Sequence, residues 1–193
     1  KINFIEVLDE CQGSEVLVSV GAGVVFDDFC DWAAKEGLWG VENLSYIPGE
    51  VGASAVQNIG AYGVEVKDVI KTVYCYDTVD EEFVNFSNEE CEYGYRDSAF
   101  KDPEIKGRYI VTHVVFELSR EPRPCLDYGH LKSAVEAAAT SDTLTPSLIR
   151  RGILKTRKEK LPDPSVMGSA GSFFKNPVIS AEHFDKSEQA AKA

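Results

Sequence analysis

The sequence predicts an α+β fold, and three observations carry that prediction. The valines Val16, Val18 and Val20 alternate with Leu17 and Ser19, as in a mostly buried strand. Phe26, Phe29, Cys30, Ala33 and Ala34 fall at i, i+3, i+4, i+7 and i+8, which makes one apolar helical stripe. The run Arg108–Leu118 is apolar on both faces, as a central strand would be.

The elements follow in order. Ile2–Val7 and Glu15–Val20 are expected strands, and Gly21-Ala22-Gly23 turns the chain. A helix is expected from Phe26 to about Glu36, with Asp27 and Asp28 suited to its positive N-terminal end and Gly37 as its stop. The stretch from Leu44 to Gly63 has glycines at 49, 52, 60 and 63 and no clean apolar period. It reads as a loop, either packed tightly or letting its backbone approach a ligand. Thr72–Tyr76 and Phe83–Phe86 form an expected hairpin. Ser87 or Asn88 would cap a short helix through Cys91.

In the long strand, Ile110, Thr112, Val114, Phe116 and Leu118 are expected on one face, and Tyr109, Val111, His113, Val115 and Glu117 on the other. His113 reads as a structural histidine. Two helices then follow. One lies near Leu131–Ala139; the other opens at Thr145-Pro146, an N-cap with Pro at the first helical position, and runs to about Lys160. Leu161-Pro162-Asp163-Pro164 breaks the helix, and a domain boundary is expected there, dividing 1–161 from 162–193. The tail Ser180–Ala193 looks helical.

Composition narrows the function. The chain has 193 residues, 44% of them apolar and 27% charged, as in a soluble globular protein. Its net charge of −12 argues against general nucleic-acid binding, which needs many Lys and Arg. No apolar run approaches the roughly 18 residues of a membrane span, and the start does not read as a signal peptide. The five cysteines are odd in number and contain no C-x-x-C, so neither a disulfide framework nor a zinc site is expected, and a cytoplasmic location is the simplest reading. The three histidines form no metal-ligand pattern.

Three clusters could carry chemistry. In the glycine-rich stretch, Ser54, Gln57 and Asn58 could bond a polar ligand while the glycines expose backbone N–H groups. Gly21-Ala22-Gly23 lacks the third glycine of a dinucleotide fingerprint. In Tyr93-Gly94-Tyr95-Arg96-Asp97-Ser98, aromatic stacking and a carboxylate bond could hold Arg96 rigid, useful against a carboxylate or enolate; a surface Arg–Asp pair is the plainer reading. The third cluster runs from Lys160-Leu161-Pro162-Asp163-Pro164 to Gly171-Ser172-Phe173-Phe174-Lys175-Asn176-Pro177. No G-x-S-x-G elbow is present, so proton donation fits Ser172 better than nucleophilic attack, and an ordinary buried Ser is the plainer reading.

Taken together, the motifs I-P-G-x-V-G-x-S-x-x-Q-N-I-G-A-Y-G (Ile47–Gly63), Y-G-Y-R-D-S-x-F-K (Tyr93–Lys101), K-L-P-D-P (Lys160–Pro164) and G-S-F-F-K-N-P (Gly171–Pro177) resemble the MurB family of UDP-N-acetylenolpyruvoylglucosamine reductases. The resemblance covers about residues 1 to 182, and Asp127-Tyr128-Gly129 suggests the longer, type I form. It implies an FAD-binding lobe of the vanillyl-alcohol-oxidase type in 1–161 and the start of an α+β substrate domain in 162–193. It implies an FAD-dependent, NADPH-consuming oxidoreductase of peptidoglycan precursor synthesis, also called UDP-N-acetylmuramate dehydrogenase. In that family the flavin delivers hydride to UDP-N-acetylglucosamine enolpyruvate. By motif, Ser172 would donate the proton and Arg96 would stabilise the enolate-like charge. Tyr128, Lys160 and Asn176 would hold the UDP-sugar. Pro48, Gly49, Gly52, Ser54, Gln57, Asn58 and Gly60 would lie along FAD. The resemblance implies no metal, no nucleic acid, no membrane and a monomer.

Two departures qualify the resemblance. The family's first FAD loop, of the Gly-Gly-Gly-Ser-Asn type, and its C-terminal catalytic Glu have no counterpart in the sequence. The chain therefore reads as a central fragment that does not turn over alone. A non-catalytic nucleotide-sugar-binding module and an FAD oxidase of the same superfamily with another substrate are the alternatives.

Overall fold

The structure is a computed structural model that describes residues 2–10, 13–139, 143–162, 166–168, 175–181 and 183–184. The chain divides into two compact units, Lys1–Leu161 and Pro162–Ala193.

The first unit is built on a five-stranded antiparallel sheet. Its strands are β1 (Ile5–Glu10), β2 (Glu15–Gly21), β5 (Ile70–Asp77), β6 (Glu82–Ser87) and β7 (Tyr109–Ser119), ordered β1-β2-β7-β5-β6. A two-stranded ribbon, β3 (Gly60–Ala61) and β4 (Val64–Glu65), stands apart from it. The helices are α1 (Phe26–Lys35), α2 (Val51–Gln57), α3 (Leu131–Ala138) and α4 (Pro146–Lys160).

Hydrophobic burial sets the sheet's register. Val16, Val18 and Val20 of β2 pair with Leu118, Phe116 and Val114 of β7, and all six are buried on the face toward α1. The predicted stripe of α1 is the face that covers them, and Phe29 meets Phe116 at 4.7 Å between ring centroids. The loss of this apolar area to water would cost about 25 cal/mol for each Å².

The long strand differs from expectation in one respect. Cys75 opposes Val111 and Tyr74 opposes His113, which leaves Thr112 as an extra residue in β7. Such a bulge inverts the alternation across it. Tyr109 and Val111 therefore pack toward the same core as Val114, Phe116 and Leu118, while Ile110 is 56% exposed. His113 is structural: it stacks on Tyr74 at 4.2 Å, and burial pushes its pKa down.

Two further expectations are corrected. The Leu44–Gly63 stretch is not all loop, because α2 forms inside it. The chain after Ser87 makes one turn rather than a helix: Cys91 N–H reaches Ser87 O at 3.1 Å, and Ser87 and Glu90 bond each other's side chain and backbone.

The helices α3 and α4 make a second cluster with Trp39, built from Leu131, Val135, Leu148, Ile149 and Ile153. They approach closely at Gly152, where an added Cβ would lie 3.0 Å from the Val135 backbone. Thr145 caps α4 as expected, its hydroxyl accepting the Leu148 N–H at 3.1 Å.

In the second unit the described residues are exposed, and Phe184 N–H reaches Ser180 O at 3.0 Å. The expected tail helix otherwise lies outside the described residues. Among described residues, Cys30, Cys75, Cys91 and Cys125 are free thiols, burial pushes Cys75 up to about 12 and Cys91 up to about 11, no metal-ligand cluster occurs, and no helix is long and apolar enough to cross a membrane.

Asp77 at the end of β5 gives a pH-dependent stability. Its carboxylate takes Arg108 Nε at 2.9 Å and Nη2 at 2.6 Å, plus the Val79 N–H at 2.9 Å. The Arg108 bonds foremost lower its pKa from 3.8 to about 2. A lowered folded pKa means that the stabilisation is present above 3.8 and lost as pH falls through about 2. Asp77→Asn should flatten the fall of the urea midpoint across that window; an unchanged slope would place the acid sensitivity elsewhere.

Candidate active site

The helix α2 owes its position to two glycines and its small residues. Gly49 sits at φ 123°, where a side chain would be strained, and its carbonyl receives the Phe26 N–H at 3.0 Å. Gly52 lies against Ala22: an added Cβ would come within 2.9 Å of the Ala22 Cβ. The N–H groups of Val51 and Gly52 bond the carbonyls of Val24 and Ala22, both at 3.0 Å. These contacts strap α2 to the turn after β2.

A cavity of about 530 Å³ opens beside this strap. Gly52, Ala53, Val56 and Gln57 of α2 line it with Ala22, Gly23, Tyr109 and Val111. Its wall is mostly apolar, with Ile2 as a further apolar member, and is broken by two polar residues, Glu50 and Gln57. That lining fits a flat aromatic ring system with a polar edge, as in a flavin nucleotide. The bulge at Thr112 matters here, because it turns Tyr109 and Val111 toward α2.

The seven predicted cofactor residues separate into two groups. Pro48, Gly49 and Gln57 are exposed, and Gly52 lines the cavity. Ser54 and Asn58 are buried and satisfied within the protein. Ser54 donates its hydroxyl to Val51 O at 2.7 Å. Asn58, fully buried at a left-handed φ of 43°, donates to Gly94 O at 2.7 Å and to Glu65 at 3.2 Å, and accepts the Lys67 N–H at 3.2 Å. Gly60 is covered by the Arg96 guanidinium, which an added Cβ would meet at 2.6 Å.

Arg96 is held differently from expectation. Its partners are carbonyls rather than a carboxylate: Nη1 donates to Asn58 O at 3.3 Å and Nη2 to Gly60 O, with the guanidinium 5.3 Å from the centre of the Tyr95 ring. Asp97 instead lies 3.7 Å from Lys101, whose ammonium also bonds Arg96 O at 2.7 Å. Carbonyls fix the guanidinium without neutralising it, so its positive charge remains available to an anion. Of its five N–H donors, these carbonyls engage two.

The ribbon beyond Gly60 leads to a second groove. Tyr62 and Gly63 both have positive φ, at 50° and 82°, the geometry of a two-residue hairpin turn. Asn43 pins this turn by donating to Tyr62 O at 3.0 Å and Cys125 O at 2.8 Å. Tyr62 meets Tyr128 edge-on at 6.1 Å, and both line a groove of about 550 Å³ with His130, Lys155, Thr156 and Lys160. Two predicted substrate residues, Tyr128 and Lys160, thus share one groove. Asn176 is exposed in the second unit, and Ser172 lies outside the described residues.

Sequence reasoning missed Tyr62, Lys155 and Thr156 in this groove and Ala22, Gly23, Tyr109 and Val111 in the cavity. Helical spacing links Thr156 to Lys160, four residues on, and would have found it. Nothing local would have found Tyr109 and Val111, which depend on the bulge.

Gly52 provides a direct test of the cavity wall. Gly52→Val should cost about 2 kcal/mol by overpacking against Ala22. Urea unfolding would read it, and a cost below about 0.5 kcal/mol would mean that α2 can move away from Ala22 freely.

The sheet, the strapped glycine-rich helix and the cavity describe a flavin-nucleotide-binding domain, and residues 2–87 match the family model for the FAD binding domain. More particularly, the chain is a homologue of UDP-N-acetylenolpyruvoylglucosamine reductase, MurB. It is 50% identical over 185 residues to that reductase of Bacteroides fragilis strain YCH46, covering 96% of this chain and 54% of the relative. It is 50% identical over 167 residues to that of Neisseria meningitidis serogroup A, covering 86% of this chain and 48% of the relative. The crystal structure of MurB from Thermus caldophilus superposes with a TM-score of 0.57 at 28% identity, covering 88% of this chain and 53% of that one. The chain spans about half the length of these relatives.

Proposed function

We propose that this chain belongs to an FAD- and NADPH-dependent reductase that converts UDP-N-acetylglucosamine enolpyruvate to UDP-N-acetylmuramate for peptidoglycan precursors. The observation that carries the reading is the seat of Arg96. Its guanidinium is fixed on the carbonyls of Asn58 and Gly60, and the ribbon from Gly60 ends at Tyr62, in the groove shared by Tyr128 and Lys160.

Gly52 and Gln57 would line FAD, with Pro48 and Gly49 exposed beside them; Asn58 and Gly60 would serve by seating Arg96. Bound FAD would supply the hydride. Arg96 would hold the substrate carboxylate and stabilise the negative charge that grows on it. Tyr128 would pack on the sugar nucleotide, Lys160 would face its diphosphate, Asn176 would add a polar contact, and Ser172 would donate the proton. A hydroxyl is a weak acid, so its proton goes only to a strongly basic carbon, which conjugate hydride addition creates. The carboxylate and first cofactor loop of the family pattern have no counterpart here, so the 193-residue chain is expected not to turn over alone.

The test is the visible spectrum of the chain with FAD, before and after the enolpyruvyl UDP-sugar. A bound-flavin spectrum that shifts with the sugar is expected. Arg96→Lys should weaken the sugar's effect by about tenfold in concentration, because Lys lacks the planar fork. An equal response from both proteins would remove Arg96 from substrate binding.

A further inference from the structure

One buried ion pair outside both cavities touches the segment that leads into α2. Arg150 of α4 is 9% exposed and reaches Asp27 of α1 with Nη1 and, at 3.0 Å, with Nη2; its Nε reaches Asp31 at 3.1 Å. The same Asp27 oxygen that takes Nη1 also accepts the Tyr46 backbone N–H at 2.6 Å. Tyr46 stands at φ 62°, a left-handed conformation that costs a non-glycine residue about 1 kcal/mol or more. Such strain persists only where the surroundings over-determine it.

We infer that Asp27 and Arg150 are positioning residues for the cofactor segment: they lock Tyr46 in its left-handed turn and so set the course of Ile47-Pro48-Gly49 into α2. The inference rests on the FAD reading given above. Phe26 N–H holds Gly49 O at 3.0 Å, three residues beyond Tyr46, so the start of α1 grips the segment at two points. Released from Asp27, Tyr46 would relax to negative φ and re-aim everything up to the second grip. Burial works against the Asp27 charge, but the bonds from Arg150 and Tyr46 outweigh it and hold the carboxyl below its ordinary value. The lock also ties the cofactor segment to α4, which ends at Lys160 in the second groove. A change at Arg150 would therefore be felt at both.

A purely structural pair would lower global stability and nothing else. Amide hydrogen exchange separates the cases, with Val114 in the buried sheet as the global reference. In Asp27→Ala, exchange at Tyr46 should rise by about tenfold more than at Val114, the loss of one hydrogen bond to a charged group. Arg150→Met, which leaves that acceptor in place but unanchored, should show a smaller rise in the same direction. Asp27→Asn keeps an acceptor for the Tyr46 N–H and should show a smaller rise. Fluorescence titration with FAD should show about tenfold weaker binding in Asp27→Ala. Exchange at Tyr46 that rises only in step with Val114 would overturn the lock. Local release with unchanged FAD affinity would overturn its role in cofactor positioning. Failure of the unaltered chain to bind FAD would instead overturn the cofactor reading, with the exchange result still deciding the lock.

Discussion

Phe29→Ala should lower the unfolding free energy by about 4 kcal/mol. Phe29 is fully buried at the centre of the interface between α1 and the sheet. Its ring lies 4.7 Å from Phe116, 6.0 Å from Phe26 and 6.3 Å from Trp32. The hydrogen-bonded strands beneath it cannot move inward to fill the space, so the loss combines transfer and cavity costs. Phe29→Leu keeps most of the volume and should cost about 1.5 kcal/mol. Urea unfolding of both variants checks this. A loss below 1 kcal/mol for Ala would mean that α1 collapses onto the sheet, and the interface would be more plastic than its packing implies.

Asn58→Ala carries the second large effect, about 3 kcal/mol. The side chain is buried and makes three hydrogen bonds that tie the end of α2 to Gly94, Glu65 and Lys67. Truncation leaves the Gly94 carbonyl and the Lys67 N–H without that partner. Backbone strain at φ 43° adds to the cost. Asn58→Gly removes the strain and should recover about 1 kcal/mol, leaving most of the loss. Full recovery by Gly would mean that the three bonds contribute nothing. The carbonyl that seats Arg96 is the Asn58 backbone oxygen, which Ala keeps, so that bond itself is not removed by the substitution.

Much of the fold was legible because its signals are local. The stripe of α1 lies on five residues that are all buried. The alternation of Val16, Val18 and Val20 identifies the strand face, and Thr145-Pro146 marks the start of α4 by cap chemistry alone. The motifs around Arg96, Lys160 and the Ile47–Gly63 stretch marked the candidate site. Other parts were not legible. The helix α2 reads VGASAVQ, too small in side chain and too short to show a period. It exists because Gly52 can lie against Ala22 and because Val51 and Ala55 are buried. Spacing suggested a carboxylate for Arg96, yet the turn from Gly94 to Asp97 sends the guanidinium toward two carbonyls.

The sequence by itself determined most of the runs that become strands and helices, α2 excepted, and which residue types could carry flavin and anion chemistry. Hydrophobic period, caps and glycine placement act within a few residues, so they survive in one dimension. The tertiary structure alone decided how those residues are used. It turned Asn58 inward, brought Tyr62 to Tyr128 and Lys160, and rotated Tyr109 and Val111 into the cavity through the extra residue at Thr112. Each of these depends on strand register, or on a hydrogen bond between residues far apart in the chain, and no local pattern encodes either.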